Sequence, residues 1–525
     1  MARSRRGRYP GTVMRAIVGG VMLGLVATMA HPSSTPGGRG TTVASVSDGT
    51  RQTERWFRCT LGGVPCGHAR ETVSVLEDGG LATTTEIALK FLRENTETRT
   101  RIVTETVSDT DGRPRSMRLQ QEMGGDPLVT EWTFRADDVL ERRSQGGRAV
   151  QSERPLPAGE WHLPDAAWSI ARRRATESEP VRVRVLDPLR GLEPSETTFR
   201  LVGETEFRGP AGRQTGVRWL VVDEEGTETR EIHSRTGDLL RSEVDLGTGL
   251  GVLRIELASK AIATGPVDAP IQLMEAGLVR PVFQAAPRRL DRGGAAVYRV
   301  RRRDGSPMDL PSIGSQRVRS AENPSTALVL VDPDRSSAAS GLDPMRYLEP
   351  TALLDSDDPA VVAFAKRHDR ADASGLERAR GLRRAVHRHI DRKDLGTAFA
   401  TAGETVRSRG GDCSEHAVLL AAGLRALGIP SRTVSGLVWT PRSSERTGAF
   451  LWHMWTQALV DGRWCDLDAT LPAGRDFHPG HLAISASDGG RADLERNARA
   501  MLQLFGAIEI EVQPADFEWP RGDRE

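Results

Sequence analysis

The chain has 525 residues, room for three or four domains at about 150 residues each. Its 72 Lys+Arg against 71 Asp+Glu leave a net charge of +1, which argues against a protein organised around nucleic acid. Hydrophobic residues at 38% and charged ones at 27% exclude a disordered chain, and four cysteines are too few for a disulfide-built scaffold.

Arg3, Arg5, Arg6, Arg8 and Arg15 precede an uncharged apolar run over 16–30, with small residues around Ala27 and Ala30. A basic head followed by a run short for a bilayer reads as a secretory signal over 1–30, the alternative being an uncleaved N-terminal anchor. Either one places the rest of the chain outside the cytoplasm, in the periplasm, in the cell envelope or secreted. Residues 31–50, rich in Ser, Thr, Gly and Pro, read as a disordered spacer.

From 51 to 263 the sequence alternates in short runs. Residues 100–107 are strand-like, with a turn at Asp111-Gly112. The pattern recurs at 219–222 with a turn at Glu225-Gly226, and again near Gly237-Asp238. A helical piece over 165–174 separates two such stretches, so a curved antiparallel sheet of two related halves is expected. With Gly62-Gly63 as the first turn, Cys59 and Cys66 stand directly opposite, at a spacing a disulfide accepts. The alternative is two unconnected thiols, because Pro65 can distort the pairing. Residues 264–343, polar and punctuated by Pro and Gly, are expected to form a small β unit or linker.

The residue types that carry chemistry gather in 344–490. A helix is predicted over 376–390, with Leu376, Ala379, Leu382, Val386 and Ile390 on one face. Further on, Gly410-Gly411-Asp412-Cys413-Ser414-Glu415-His416 leads into an apolar run over 417–427 that reads as a buried helix, ended by Gly428 and Pro430. Asp412 is a natural N-cap, so Cys413 falls at the first helical position. There, free N–H groups and the positive helix end stabilise a thiolate. Gly410 and Gly411 would let a substrate backbone approach closely.

A cysteine nucleophile needs a base, and the base needs an orienting partner. Residues 452–460 read as a strand, Asp461-Gly462 as a two-residue hairpin turn, and 463–468 as the returning strand. In that register His453 and Asp468 are diagonal neighbours on one face. Asp466 shares the face a step further away, and a β-bulge would reopen the choice. Cys465 opposes Ala458, points to the other face and is assigned to the core. Trp455 shares the face of His453 and is a candidate wall of the substrate site; packing accounts for most of Trp439, Trp452 and Trp464. His416 is assigned to packing or support. His387-x-His389 and His478-x-x-His481 are too sparse for a metal site, and no cofactor is expected.

Gly411-Asp412-Cys413-Ser414-Glu415-His416 and Leu427-Gly428-Ile429-Pro430-Ser431-Arg432 resemble the transglutaminase-like superfamily. So do His453-Met454-Trp455, Asp461-Gly462-Arg463-Trp464 and Asp468-Ala469-Thr470, in the same order. The resemblance implies an α+β, papain-like core at the C-terminal side, preceded by a largely antiparallel β-rich region. It also implies Cys413 as nucleophile, His453 as base and acid, and Asp468 as the residue that orients the imidazole. Met454 stands where a small residue is common and Gln457 where an acid is frequent; neither belongs to the triad. Residues 491–525 would complete the chain as a C-terminal helix and tail.

The expectation is an exported cysteine enzyme that cleaves or transfers the acyl group of a peptide or glutamine amide through a Cys413 thioester. Its partner would be a peptide or protein substrate, with membrane attachment only through the N-terminal segment. Four lysines in the whole chain make it a poor target for its own cross-linking. The alternative is a non-catalytic envelope binding or scaffold protein that uses the β-rich region.

Overall fold

The computed structural model describes residues 51–519 except 94–95, 123–126, 146–147, 225, 247–249, 268–276, 340, 342, 352, 393–399, 443–444, 491–499 and 502–503. The expected signal or anchor at 1–30 and the spacer at 31–50 lie outside the described residues. Among those described, no helix is long and apolar enough to cross a membrane.

Apolar and polar residues alternate with period two between tight turns, and this builds β1 (Arg51–Leu61), β2 (Val64–Val75), β3 (Leu81–Arg93), β4 (Thr96–Ser108), β5 (Pro114–Glu122), β6 (Leu128–Phe134), β7 (Asp138–Gln145) and β8 (Arg148–Pro155). Helix α1 (Pro164–Arg174) follows. After it come β9 (Val181–Val185), β10 (Ser195–Gly209), β11 (Gly212–Asp223), β12 (Glu228–Ser234), β13 (Leu239–Asp245) and β14 (Val252–Ala258). The expected helix thus falls between two meanders. The two meanders are joined edge to edge, because β1 pairs antiparallel with β14, and all fourteen strands make one sheet. The sheet curls around α1. Thr83 on β3 donates to Asp165 at 2.8 Å, while the Trp168 ring packs edge-on to Phe199 and Trp219 on β10 and β11.

The first hairpin corrects the disulfide expectation. Cys59 pairs with Gly67 and Thr60 with Pro65, so Cys66 is the extra residue of a β-bulge and does not oppose Cys59. Both cysteines are buried free thiols, and burial pushes the Cys66 thiol up to about 12.

A second sheet contains β15 (Val282–Phe283), β16 (Ala296–Arg302), β17 (Gln316–Ser320) and β18 (Thr326–Val331), with Ile508–Val512 inserted between β15 and β16. Residues 264–343 are therefore not a mere linker, and the end of the chain is not only helix and tail. Ile508, Ile510 and Val512 alternate inward, while Glu509 and Glu511 face Arg301 and Arg299 across the pair. Most of the expected C-terminal helix lies outside the described residues.

The third sheet carries the chemistry. Its order is β19 (Ser337–Ala338), β22 (Arg463–Leu467), β21 (Glu445–Val460), β20 (Ser431–Arg442) and β23 (His481–Ser487). Helices α2 (Pro359–His368), α3 (Gly375–His389), α4 (Ala402–Ser408) and α5 (Cys413–Ala426) accompany it. The last three each open with a capping box, Ser374–Glu377, Thr401–Glu404 and Asp412–Glu415. Residues 413–425 of α5 are all buried between β21 and the other three helices, which explains that helix's apolar composition. One hydrophobic cluster, including Phe57, Tyr298, Ile510, Trp439 and Phe450, joins the three sheets.

Candidate active site

The start of α5 is locked by its own side chains. Asp412 Oδ1 accepts from the Ser414 N–H and hydroxyl, each at 2.7 Å, and Glu415 Oε2 accepts from the Asp412 N–H at 2.9 Å. Cys413 is therefore the first helical residue, as the N-cap argument required. Burial, with Asp412 beside it, pushes the Glu415 carboxyl well above the usual range. Gly411 has φ 147°, and a Cβ there would lie 2.4 Å from the Glu415 side chain. The buried Glu415 side chain therefore demands this glycine, without appeal to a passing substrate.

On the other side of the cleft, Asp461 and Gly462 take φ of 51° and 72°, as a primed hairpin turn needs. The register follows: Gln457 pairs with Asp466 and Ala458 with Cys465. His453 Nε2 lies 2.9 Å from Asp468 Oδ2. The other oxygen, Oδ1, accepts from the Thr470 N–H at 2.8 Å and its hydroxyl at 2.7 Å. Buried Arg383 on α3 fastens this segment, donating to the Asp468 carbonyl at 3.3 Å and the Leu471 carbonyl at 2.6 Å. Burial alone would raise the Asp468 carboxyl, but His453 and His481 outweigh it and hold the group well below the usual carboxylate range.

Cys413, His453, Asp468 and His416 line one cleft of about 330 Å³. Val438, Trp439 and Pro441 give it an apolar wall, and Arg475 with Asp291 a polar one. Asp291 comes from the 264–343 region and accepts from Arg475 at 3.3 Å, so that region helps to build the cleft.

Several expected roles change. Trp455 is not a wall of the cleft: it is 1% exposed, lies beneath the site and donates to Asp466 Oδ1 at 2.8 Å. Trp439, assigned to packing, does pack in the core cluster, and it also lines the cleft. Asp466 also accepts from Gln457 and from the Ser315 N–H, so it ties two sheets together and does not orient the imidazole. Cys465 does lie on the face opposite His453, but it is half-buried rather than core. His387 and His389 each face a backbone carbonyl.

His481 belongs with the site, which its spacing from His478 does not reveal. Its Nε2 lies 3.1 Å from Asp468 Oδ2, the oxygen that His453 also contacts. His453, Asp468 and His481 are also the one His and carboxylate group among the described residues whose ligand atoms lie close enough, within 4.8 Å, to share a metal ion. All three atoms are engaged in the hydrogen bonds just given.

Residues 362–469 match the family model of the Transglutaminase-like superfamily, so the helix and strands that carry Cys413, His453 and Asp468 belong to a transglutaminase-like domain. No curated protein matches the sequence. Among solved structures, the chain is similar to a candidate cysteine protease from Cytophaga hutchinsonii at 16% identity, with 44% of this chain and 92% of that one covered and a TM-score of 0.28. It is also similar to the periplasmic domain of TgpA from Pseudomonas aeruginosa, at 16% identity, 50% and 84% coverage and a TM-score of 0.25. A β-barrel-like protein of a domain of unknown function from Brucella abortus matches at 12% identity, 39% and 94% coverage and a TM-score of 0.30. At such scores the family match alone carries the assignment.

Proposed function

We propose that this chain is an exported cysteine enzyme of acyl transfer, acting on peptide or glutamine amides. The observation that carries the proposal is the buried His453–Asp468 hydrogen bond on the cleft that Cys413 also lines. With Nε2 committed to Asp468, His453 Nδ1 is the nitrogen that exchanges protons. It takes the Cys413 proton as sulfur attacks the amide carbonyl and returns it to the departing amine or ammonia as the C–N bond breaks. The thioester left on Cys413 is then opened by water or by a second amine, with His453 again moving the proton. Asp468 keeps the imidazole oriented and offsets its charge. The apolar wall at Val438, Trp439 and Pro441 suits the hydrocarbon part of an acyl donor. The basic head and apolar run at the N-terminus support export.

The test is incubation of the protein with a glutamine-containing protein and a tagged primary amine. Tag incorporation lost in His453→Ala supports transfer, and new fragments lost in the same variant support hydrolysis. If neither occurs, and Cys413 reacts with a thiol probe no faster than a free thiol does, the enzyme proposal fails and the binding alternative stands.

A further inference from the structure

His481 opens β23 and is 1% exposed. Its two ring nitrogens face oxygen atoms that can only accept: Nδ1 lies 3.0 Å from the His478 carbonyl and Nε2 lies 3.1 Å from Asp468 Oδ2. A neutral imidazole carries one N–H, so it would satisfy one contact and set a lone pair against an oxygen at the other. Both contacts are hydrogen bonds only when both nitrogens are protonated.

The surroundings hold the ring in this pose. Phe477 stacks on it at 4.2 Å, and Trp455 meets it edge-on at 5.2 Å. The turn before it is tight, since a Cβ on Gly480 would come within 3.0 Å of His478 Nδ1. Tyr298, from the second sheet, donates to the Pro479 carbonyl at 2.7 Å and braces that turn. Gly480 N–H donates to His478 Nδ1 at 3.1 Å, so that nitrogen acts as an acceptor and His478 stands as a neutral neighbour. The titratable groups around His481 are thus Asp468, His453 and His478, with Asp291 acting on His478 from the second sheet.

We propose that His481 is a fourth, positioning member of the Cys413–His453–Asp468 group: a doubly protonated imidazole that pins Asp468 and offsets its charge. Its hydrogen bond, with those from His453 and Thr470, occupies the four acceptor positions of the carboxylate. When Cys413 is a thiolate and His453 an imidazolium, the four groups carry two positive and two negative charges. The buried cluster is then neutral as a whole, which limits the desolvation cost of each charge. This inference rests on the proposed role of Cys413 as nucleophile.

The test is alkylation of Cys413 by iodoacetamide in the full-length protein with EDTA present, followed across the pH range. Peptide mass spectrometry reads Cys59, Cys66 and Cys465 separately. His481→Leu should slow Cys413 alkylation by roughly 10- to 100-fold, the range seen at metal sites when a supporting partner of a ligating side chain is removed. Loss of a positive charge makes both the thiol and the imidazolium hold their protons more tightly, so the limbs of the rate profile should move to higher pH. His481→Gln, which keeps a donor for Asp468 but not the charge, should recover most of the rate while keeping the shifted profile. It also carries the test if the leucine variant fails to fold. A rate profile that stays in place in the variants, whatever their thermal stability, overturns the inference. If wild-type Cys413 reacts no faster than a free thiol, the nucleophile assignment itself falls, a separate result.

Discussion

Among the described residues, buried imidazole–carboxylate pairs occur both in the large sheet and at the third sheet. In the large sheet, His233 Nε2 meets Glu231 at 2.7 Å and Nδ1 meets the Gly237 carbonyl at 3.1 Å, with the Trp168 ring 4.2 Å from the imidazole. In the third sheet, His453 meets Asp468 at 2.9 Å and faces the cleft that Cys413 lines. The first pair is closed on every side and holds α1 against the sheet. The second leaves one edge of the imidazole facing a space large enough for a substrate. A buried, paired histidine is therefore not a mark of chemistry by itself. What separates the two is the open edge and the Cys413 thiol on the same cleft.

The contrast predicts a graded set of outcomes. The largest belongs to Cys413→Ala, which should remove acyl transfer or hydrolysis by about 10⁴-fold or more with the far-UV dichroism unchanged. Next comes Asp468→Asn, with a loss of roughly 10³–10⁴-fold in kcat, because the imidazole loses its orienting carboxylate. The same variant has a stability signature. A carboxyl held low in the folded state contributes fully above its unfolded range and is lost as pH falls through its native value. Thermal melts taken on acidification should therefore fall less steeply in Asp468→Asn than in wild type.

His233→Leu should behave in the opposite way. It leaves Glu231 buried and unpaired, a cost of about 3–5 kcal/mol read from denaturant melts, while Cys413 alkylation stays at the wild-type rate. If that variant changes cleft chemistry, the two sheets are coupled and the comparison breaks. The smallest effect is expected at Asp355, where burial, with Asp358 nearby, raises the carboxyl to about 6. A value raised on folding means that its contribution is full below the unfolded range and is lost as pH climbs through about 6. Asp355→Asn keeps an oxygen for the Gly403 N–H and carries no charge. It should leave Tm unchanged in acid and raise it at alkaline pH, by on the order of 1–3 kcal/mol of stability.

The legible parts of the site are those that local geometry governs. Asp412 caps the helix that starts at Cys413, and Asp461-Gly462 sets a register that brings His453 to Asp468. Both arguments span a few residues on each side. The errors have a different origin. One extra residue at Cys66 moves it out of line with Cys59, beside the Pro65 that is the ground for expecting two unconnected thiols, and the sequence does not decide between the two alternatives. Trp455 and Trp439 lie on adjacent strands and both are buried, but only tertiary packing decides which ring borders the cleft. The sequence spacing links His481 only to His478, whereas in the fold it meets Asp468, thirteen residues away.

Local rules suffice for the helix that starts at Cys413, the hairpin between β21 and β22, and the pairing of His453 with Asp468. Caps, turn types and strand periodicity act over one turn or one hairpin, and their rules are written in consecutive residues. Only the tertiary structure decided that fourteen strands form one sheet, that Ile508–Val512 returns to complete the second sheet, and that His481 shares Asp468 with His453. Those outcomes depend on which distant surfaces bury each other, and the free energy of that burial belongs to no single segment.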